Sequence, residues 1–155
     1  MNSVIPLKRA IAHIVFLVTI GWSTAAFAQV GVGTWARTDD KGKGMTMTVE
    51  ACCNGGRRLV YHVPAMGGQP PATLTVDSPM DGTAAPVVLN GKPSGETMAI
   101  KRADDRHYHT VLKMKGQPFG TSDATLSADG KTLTVESVTN SGGKPETITE
   151  TWVKR

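Results

Sequence analysis

A run of alternating apolar and polar residues between Glu96 and Arg155 constrains this chain more than any other feature. Five segments carry it: ETMAIKR, HYHTVLKMK, GTSDATL, KTLTVESVTN and ETITETWVK. Successive side chains of a strand point to opposite faces, so a period of two marks a strand with one buried face. Asp129-Gly130 suits a two-residue type I′ turn, whose central positions both need positive φ. That turn sets Leu126 opposite Leu133 and Ala124 opposite Val135, so both strands bury the same face. The C-terminal third therefore reads as an antiparallel meander, and the rest of the chain as its extension.

The same register logic works upstream. Glu96–Arg102 and His107–Lys115 form a hairpin around Asp104-Asp105-Arg106. An odd loop makes Met98 face Leu112, Ile100 face Thr110 and Arg102 face Tyr108, all inward, with Lys101 and His109 outward. Met45–Cys53 and Arg57–Val63 flank Asn54-Gly55-Gly56. A two-residue loop there mixes faces, because Glu50 meets Leu59. A three-residue loop over 54–56 keeps one face apolar, with Val49 opposite Tyr61, Met47 opposite Val63 and Ala51 opposite Leu59. It sets Cys53 across from Arg57 and Cys52 across from Arg58, in line with a Thr48–His62 pair. Ala72–Asp77 is a strand with Leu74 and Val76 inward, and Pro64–Pro71 is irregular. Ser78–Gly95 is rich in proline and reads as a long irregular segment with one short strand at Pro86–Leu89, a candidate lid. In the last strand Ile148, Glu150 and Trp152 share a face while Val153 takes the other, which a bulge would resolve. Glu50, Glu136 and Glu150 read as solvated strand residues.

These elements predict an all-β domain: a single antiparallel up-and-down barrel of eight to ten strands, with a two-layer sandwich as the second choice. Closure removes the exposed edges that a Thr- and Val-rich meander would offer to aggregation. Gly33-Thr34-Trp35 opens the first strand and places Trp35 near one barrel end, close to Trp152 and Arg155.

The first 28 residues read as an address rather than as fold. Met1–Arg9 carries Lys8 and Arg9, Ala10–Ile20 is almost wholly apolar, and Ala26-Phe27-Ala28 supplies small residues at the cleavage positions. This is the plan of a bacterial-type signal peptide cut after Ala28, so the protein is expected in the periplasm or secreted. The apolar run is shorter than the ~20 residues of a membrane span. Residues 29–155 then form one domain. Without Lys8 and Arg9 the 17 basic residues fall to 15 against 13 acidic ones. Their mixed distribution points to no nucleic-acid partner.

Taken in order, Gly33-Thr34-Trp35, Asp81-Gly82…Pro86-Val87, Gly91-Lys92-Pro93, Lys101-Arg102, Ser127–Val135 and Gly143-Lys144 resemble a group of small secreted bacterial proteins of unknown function, often described as lipocalin-like. The resemblance implies an up-and-down barrel with an internal cavity and carries no catalytic residues. The chain departs from the group's usual G-T-W-K-L-N opening with G-T-W-A-R-T, and Cys52-Cys53 is not a feature of the group.

The residues favour a binding module over an enzyme. No G-x-S-x-G, H-E-x-x-H or P-loop is present, and no cofactor is implied. The inward residues Tyr61, Met98, Ile100, Arg102, Tyr108, Leu112 and Met114 are the candidate contacts for a small apolar or amphipathic ligand. Arg57 and Arg102 near the rim would meet an anionic head group. The alternatives are a barrel whose side chains leave no cavity, and a metal- or thiol-dependent protein. For the metal, Cys52, His62, His107 and His109 offer soft and borderline ligands, with His107 and His109 in an H-x-H pattern. For the thiols, adjacent cysteines in an exported protein allow a vicinal bridge, an intermolecular bridge, metal ligation or two free thiols. Cys52 beside Arg58 reads as the reactive thiol, and a covalent homodimer through it is the expectation.

Overall fold

The computed structural model describes residues 31–141 and 143–155. The expected signal peptide, residues 1–28, lies outside the described residues. The described residues form a closed antiparallel barrel of ten strands, in the order β1-β10-β9-β8-β7-β6-β5-β4-β3-β2. They are β1 (Gly33–Arg37), β2 (Thr46–Cys52), β3 (Gly56–Val63), β4 (Ala72–Ser78), β5 (Asp81–Leu89), β6 (Lys92–Arg102), β7 (His107–Met114), β8 (Gln117–Leu126), β9 (Thr132–Ser141) and β10 (Lys144–Lys154). Every strand pairs with its sequence neighbour, and β1 closes the barrel on β10 through Trp35↔Lys154, Ala36↔Val153 and Arg37↔Trp152. No described helix is long and apolar enough to cross a membrane.

Alternation fixes the faces as expected. Met98↔Leu112, Ile100↔Thr110, Arg102↔Tyr108 and Lys101↔His109 are partners across β6–β7. Leu126↔Leu133 and Ala124↔Val135 are partners across β8–β9. The turn that joins β8 to β9 differs from the expected one. Gly130 has φ +69° while Asp129 is not left-handed, so the Asp129-Gly130 pair is not a type I′ turn. Instead the Gly130 N–H donates to the Ser127 carbonyl, and Asp129 Oδ1 accepts from the Lys131 N–H. The two-residue left-handed turns lie elsewhere. Asn90-Gly91 (φ +48° and +79°) joins β5 to β6, and Lys115-Gly116 (+48° and +81°) joins β7 to β8.

Two further expectations are corrected. Residues 78–95 are not an irregular lid; they contain all of β5, the Asn90-Gly91 turn and the start of β6. Proline lacks the N–H a ladder needs and is tolerated at bulges. Pro86 sits at such an irregularity, where the β5–β6 register shifts between Pro86 and Val88. The β2–β3 loop does have three residues, but they are Cys53–Gly55 rather than 54–56. Val49 therefore pairs with Leu59, Met47 with Tyr61, Ala51 with Arg57 and Cys52 with Gly56, while Thr46 rather than Thr48 meets His62. The shift is two residues of pairing, so each side chain keeps its face. Gly56 explains the choice: a Cβ there would lie 2.3 Å from the Ser78 carbonyl oxygen, so only glycine fits beside β4.

The core is split. One cluster holds Trp35, Met47, Val49, Leu126 and Trp152. A second holds Val76, Ala85 and Val87 on the opposite wall. Eight strands already give an interior that side chains can just fill. Ten strands hold the two clusters apart, and a cavity is lined by the whole of the first and by Leu74 and Met98, which pack against the second.

Candidate functional site: a cavity inside the barrel

The cavity has a volume of about 350 Å³. Among the expected contact residues, Tyr61, Met98, Ile100, Arg102, Tyr108 and Leu112 line it. Met114 does not; it lies at the β7 end next to the turn and is 40% exposed. The wall also takes in Met45, Met47, Leu59 and Leu74. Tyr61 packs edge-on against Trp152, with ring centroids 6.0 Å apart and planes at 68°. Burial, then the charges of Glu150 and Glu96, push the Tyr61 hydroxyl well above the usual tyrosine value, so it stays neutral.

One barrel end is basic. Arg57 is buried and donates from Nη1 to the carbonyls of Gly55 (3.3 Å) and Gly56 (2.8 Å). Arg102 pairs with Asp105 and donates to the Asp104 carbonyl. Both guanidinium groups act on the Tyr108 hydroxyl. Its burial raises the pKa and the two positive charges oppose that rise. Lys154 lies at the same end, with Nζ 5.8 Å from the Trp35 ring centroid. Trp35 donates from Nε1 to the Gly31 carbonyl (3.0 Å) and closes this side of the wall.

The other end carries a charge group that the sequence reading placed in solvent. β10 runs without the bulge expected there, so Glu150 shares the inner face with Trp152 and lines the cavity. Its Oε1 lies 2.9 Å from Arg37 Nη1, and its Oε2 accepts from Trp152 Nε1 at 3.1 Å. Arg37 also binds Asp39 through Nε (2.6 Å) and Nη2 (2.9 Å). Hydrogen bonding to Arg37 holds the Asp39 carboxyl below its ordinary value. Burial lowers the Arg37 pKa, but the hydrogen bond to Asp39 and the charge of Glu150 outweigh it, so the net shift is upward. A single 3-10 turn, Asp40–Gly42, lies over this group; a Cβ on Gly42 would lie 1.9 Å from Arg37 Cδ. Further round the inner wall, Ser122 and Ser137 hydroxyls pair at 2.8 Å. The signal for Glu150 was present in the spacing Ile148-x-Glu150-x-Trp152. An ionised residue on an apolar stripe is acceptable once a cation on the neighbouring strand faces it.

The candidate metal ligands are not brought together. His62 lies near the opposite end of β3 from Cys52 and contacts Thr73 Oγ1 at 3.3 Å. His107 pairs with Asp104 (2.8 Å) and His109 with Asp123 (2.7 Å), all on exposed surface. Cys52 is bonded to Cys53, so the vicinal bridge is the one formed and neither sulfur is a free thiol. The covalent homodimer expected through Cys52 would require this bridge to open first. Cys52 faces Gly56 rather than Arg58, whose outward partners are Glu50 and Asp77.

In comparison with known proteins, the chain matches no family model and no curated protein sequence at a significant level.

Proposed function

We propose that this protein is an exported binding module, not an enzyme, which takes one small amphipathic ligand into the barrel with its anionic group at the basic end. The observation that carries this reading is the 350 Å³ cavity with an apolar wall and Arg57, Arg102 and Tyr108 at one mouth. Cavities of roughly 300–1,000 Å³ with apolar walls and a few polar groups are the common form of small-molecule sites. At ~30 Å³ per non-hydrogen atom at liquid density, the volume fits about twelve such atoms. That size corresponds to a medium-chain carboxylate. An aqueous compartment, periplasmic or extracellular, suits the outer wall. Glu50, Arg58, Asp77, Lys101, His109 and Asp123 face outward, and charges on an outer wall are costly in lipid.

The test is displacement of a fluorescent fatty-acid analogue from the purified protein by decanoate. Saturable one-to-one displacement is expected. Arg102→Ala should weaken decanoate at least several-fold and leave decanol almost unchanged, because only the carboxylate meets the guanidinium. Absence of saturable binding, or equal losses for acid and alcohol, would reject the reading.

A further inference from the structure

Outside the cavity, the outer wall brings three metal-ligating side chains to one place. The Sγ atoms of Cys52 and Cys53 and a carboxylate oxygen of Asp77 all lie within 4.8 Å of one another. The β2–β3 loop sets this up. β3 leaves it at Gly56, which packs against Ser78 of β4 and brings Asp77 beside the cysteine pair. Cys53 and Asp77 are exposed and Cys52 is half-buried, so reagents in solution reach the cluster. Asp77 is already oriented: both its oxygens accept from Arg58, Nε to Oδ1 at 2.7 Å and Nη2 to Oδ2 at 2.8 Å.

We infer that the Cys52–Cys53 bridge is the closed form of a metal site, and that reduction opens it to one thiophilic divalent cation held by two thiolates and Asp77. The reduction balances with a dithiol as electron donor. The Cys52–Cys53 S–S bond breaks, two electrons and two protons pass to the cysteines, and the donor closes to its own disulfide. Binding a divalent cation then releases the two thiol protons. Two thiolates and a carboxylate leave a tetrahedral ion one open position, which water fills. Thiolates select borderline and soft ions such as Zn²⁺ over Mg²⁺ or Ca²⁺. The assembled centre carries one net negative charge, and Arg58 lies against it. An outer partner that hydrogen-bonds a ligating carboxylate fixes its orientation and is worth about 10–100-fold in affinity. In the oxidised protein the same sulfurs are bonded to each other, so the site exists in one redox state only. It is separate from the interior cavity, and either reading can fail without the other.

Cobalt titration tests this, because a thiolate–Co²⁺ centre has an intense charge-transfer absorption that does not depend on any activity. The protein is reduced with a trialkylphosphine, which takes its oxygen from water and becomes the phosphine oxide, then desalted without air. Reduced protein is expected to develop the band to saturation at one equivalent, and Zn²⁺ to abolish it by displacement. Oxidised protein should give no band. Cys52→Ser should remove the band, and Asp77→Asn should keep it while weakening Co²⁺ at least tenfold. His62→Asn should match the parent. No band in the reduced protein, unchanged affinity in Asp77→Asn, weakening in His62→Asn, or loss of the β circular-dichroism signal on reduction would each overturn the assignment.

Discussion

Chain length of the ligand is the sharpest probe of the cavity. Each methylene moved from water into an apolar site contributes about 0.8 kcal/mol, which is about fourfold in affinity. That gain lasts only while empty space remains. The 350 Å³ cavity holds about twelve non-hydrogen atoms, the number in decanoate. With about 0.5 kcal/mol per atom, between the bounds for tiny and drug-sized ligands, decanoate should bind at a few tens of micromolar. A series of even-chain carboxylates from hexanoate to hexadecanoate should therefore strengthen about fourfold per methylene up to about ten carbons and then level off. Trp35 and Trp152 line the cavity, so their fluorescence reports occupancy directly. The protein side moves the break point. Ala124 lines the wall between Tyr108 and Val135, and Ala124→Phe adds six carbons to the space. The break should shift to about four carbons, below the start of the series, so affinity should be flat from hexanoate onward, with no fall in melting temperature because the ring enters an empty region rather than a packed one. A fourfold gain that continues to sixteen carbons, or a break unmoved by Ala124→Phe, would refute the assignment of binding to this cavity.

Four stability predictions rest on the charge groups and on two glycines, Gly56 and Gly91. Gly56→Ala puts a Cβ 2.3 Å from the Ser78 carbonyl oxygen and 2.9 Å from Pro79 Cα, so it should cost about 3 kcal/mol in urea unfolding. Gly91→Ala, with open space but φ +79°, should cost only about 1 kcal/mol. Arg37→Met leaves the carboxylates of Asp39 and Glu150 without their shared cation and should cost about 2–3 kcal/mol at pH 7, less than a fully buried break because both carboxylates are partly exposed. The folded Asp39 carboxyl binds its proton more weakly than the unfolded one, so its contribution is present above the ordinary carboxyl pKa, about 3.9, and is lost as pH falls below it. Arg37→Met should flatten that acid limb. Glu96 behaves with the opposite sign, because burial raises its pKa. Stability falls as pH rises from its ordinary value of about 4.3 through its raised one, and Glu96→Gln should remove this slope while stabilising the protein at pH 7 by no more than about 1 kcal/mol.

Where alternation was unbroken, faces and register could be read directly from the residues. The β6–β7 and β8–β9 partners follow from pattern and loop parity alone. Turn type was harder, since Asp-Gly and Asn-Gly look alike in sequence. Asn90 settles into the left-handed region because its side chain also reaches back to accept from the Thr73 N–H at 2.8 Å, a contact no local reading can see. Pro86 concealed β5 for a similar reason. A proline argues against a strand unless a bulge absorbs it, and the bulge depends on the partner strand. The Cys52–Cys53 bridge was one of several open fates because adjacent strand residues point apart. The structure ends β2 at Cys52 and turns Cys53 left-handed (φ +52°), which takes the pair out of the strand geometry that seemed to forbid the bond. Glu150 was legible in its spacing but needed Arg37 across the β1–β10 seam to make sense inside the barrel.

The two ends of the cavity differ in what their polar groups can offer a ligand. At the Glu150 end, both carboxylate oxygens are engaged, one by Arg37 and one by Trp152 Nε1, and the Ser122 and Ser137 hydroxyls pair with each other. The buried Gly42 turn covers Arg37 from outside. A carboxylate satisfied in this way presents less unmet polarity to an apolar tail than its formal charge suggests. At the opposite end, Arg57, Arg102 and Lys154 gather positive charge around a mouth formed by hairpin loops, with Asp105 paired to Arg102 alone. An anionic head group is repelled from the first end and attracted to the second. The orientation that satisfies both is tail toward Glu150 and head toward Arg102. Glu150→Gln should then weaken decanoate by less than about twofold while Arg102→Glu weakens it more than tenfold, because reversing a charge beside an anion adds repulsion to the lost attraction. Little change on Arg102→Glu together with a clear change on Glu150→Gln, measured by the same displacement assay, would mean the ligand lies the other way round.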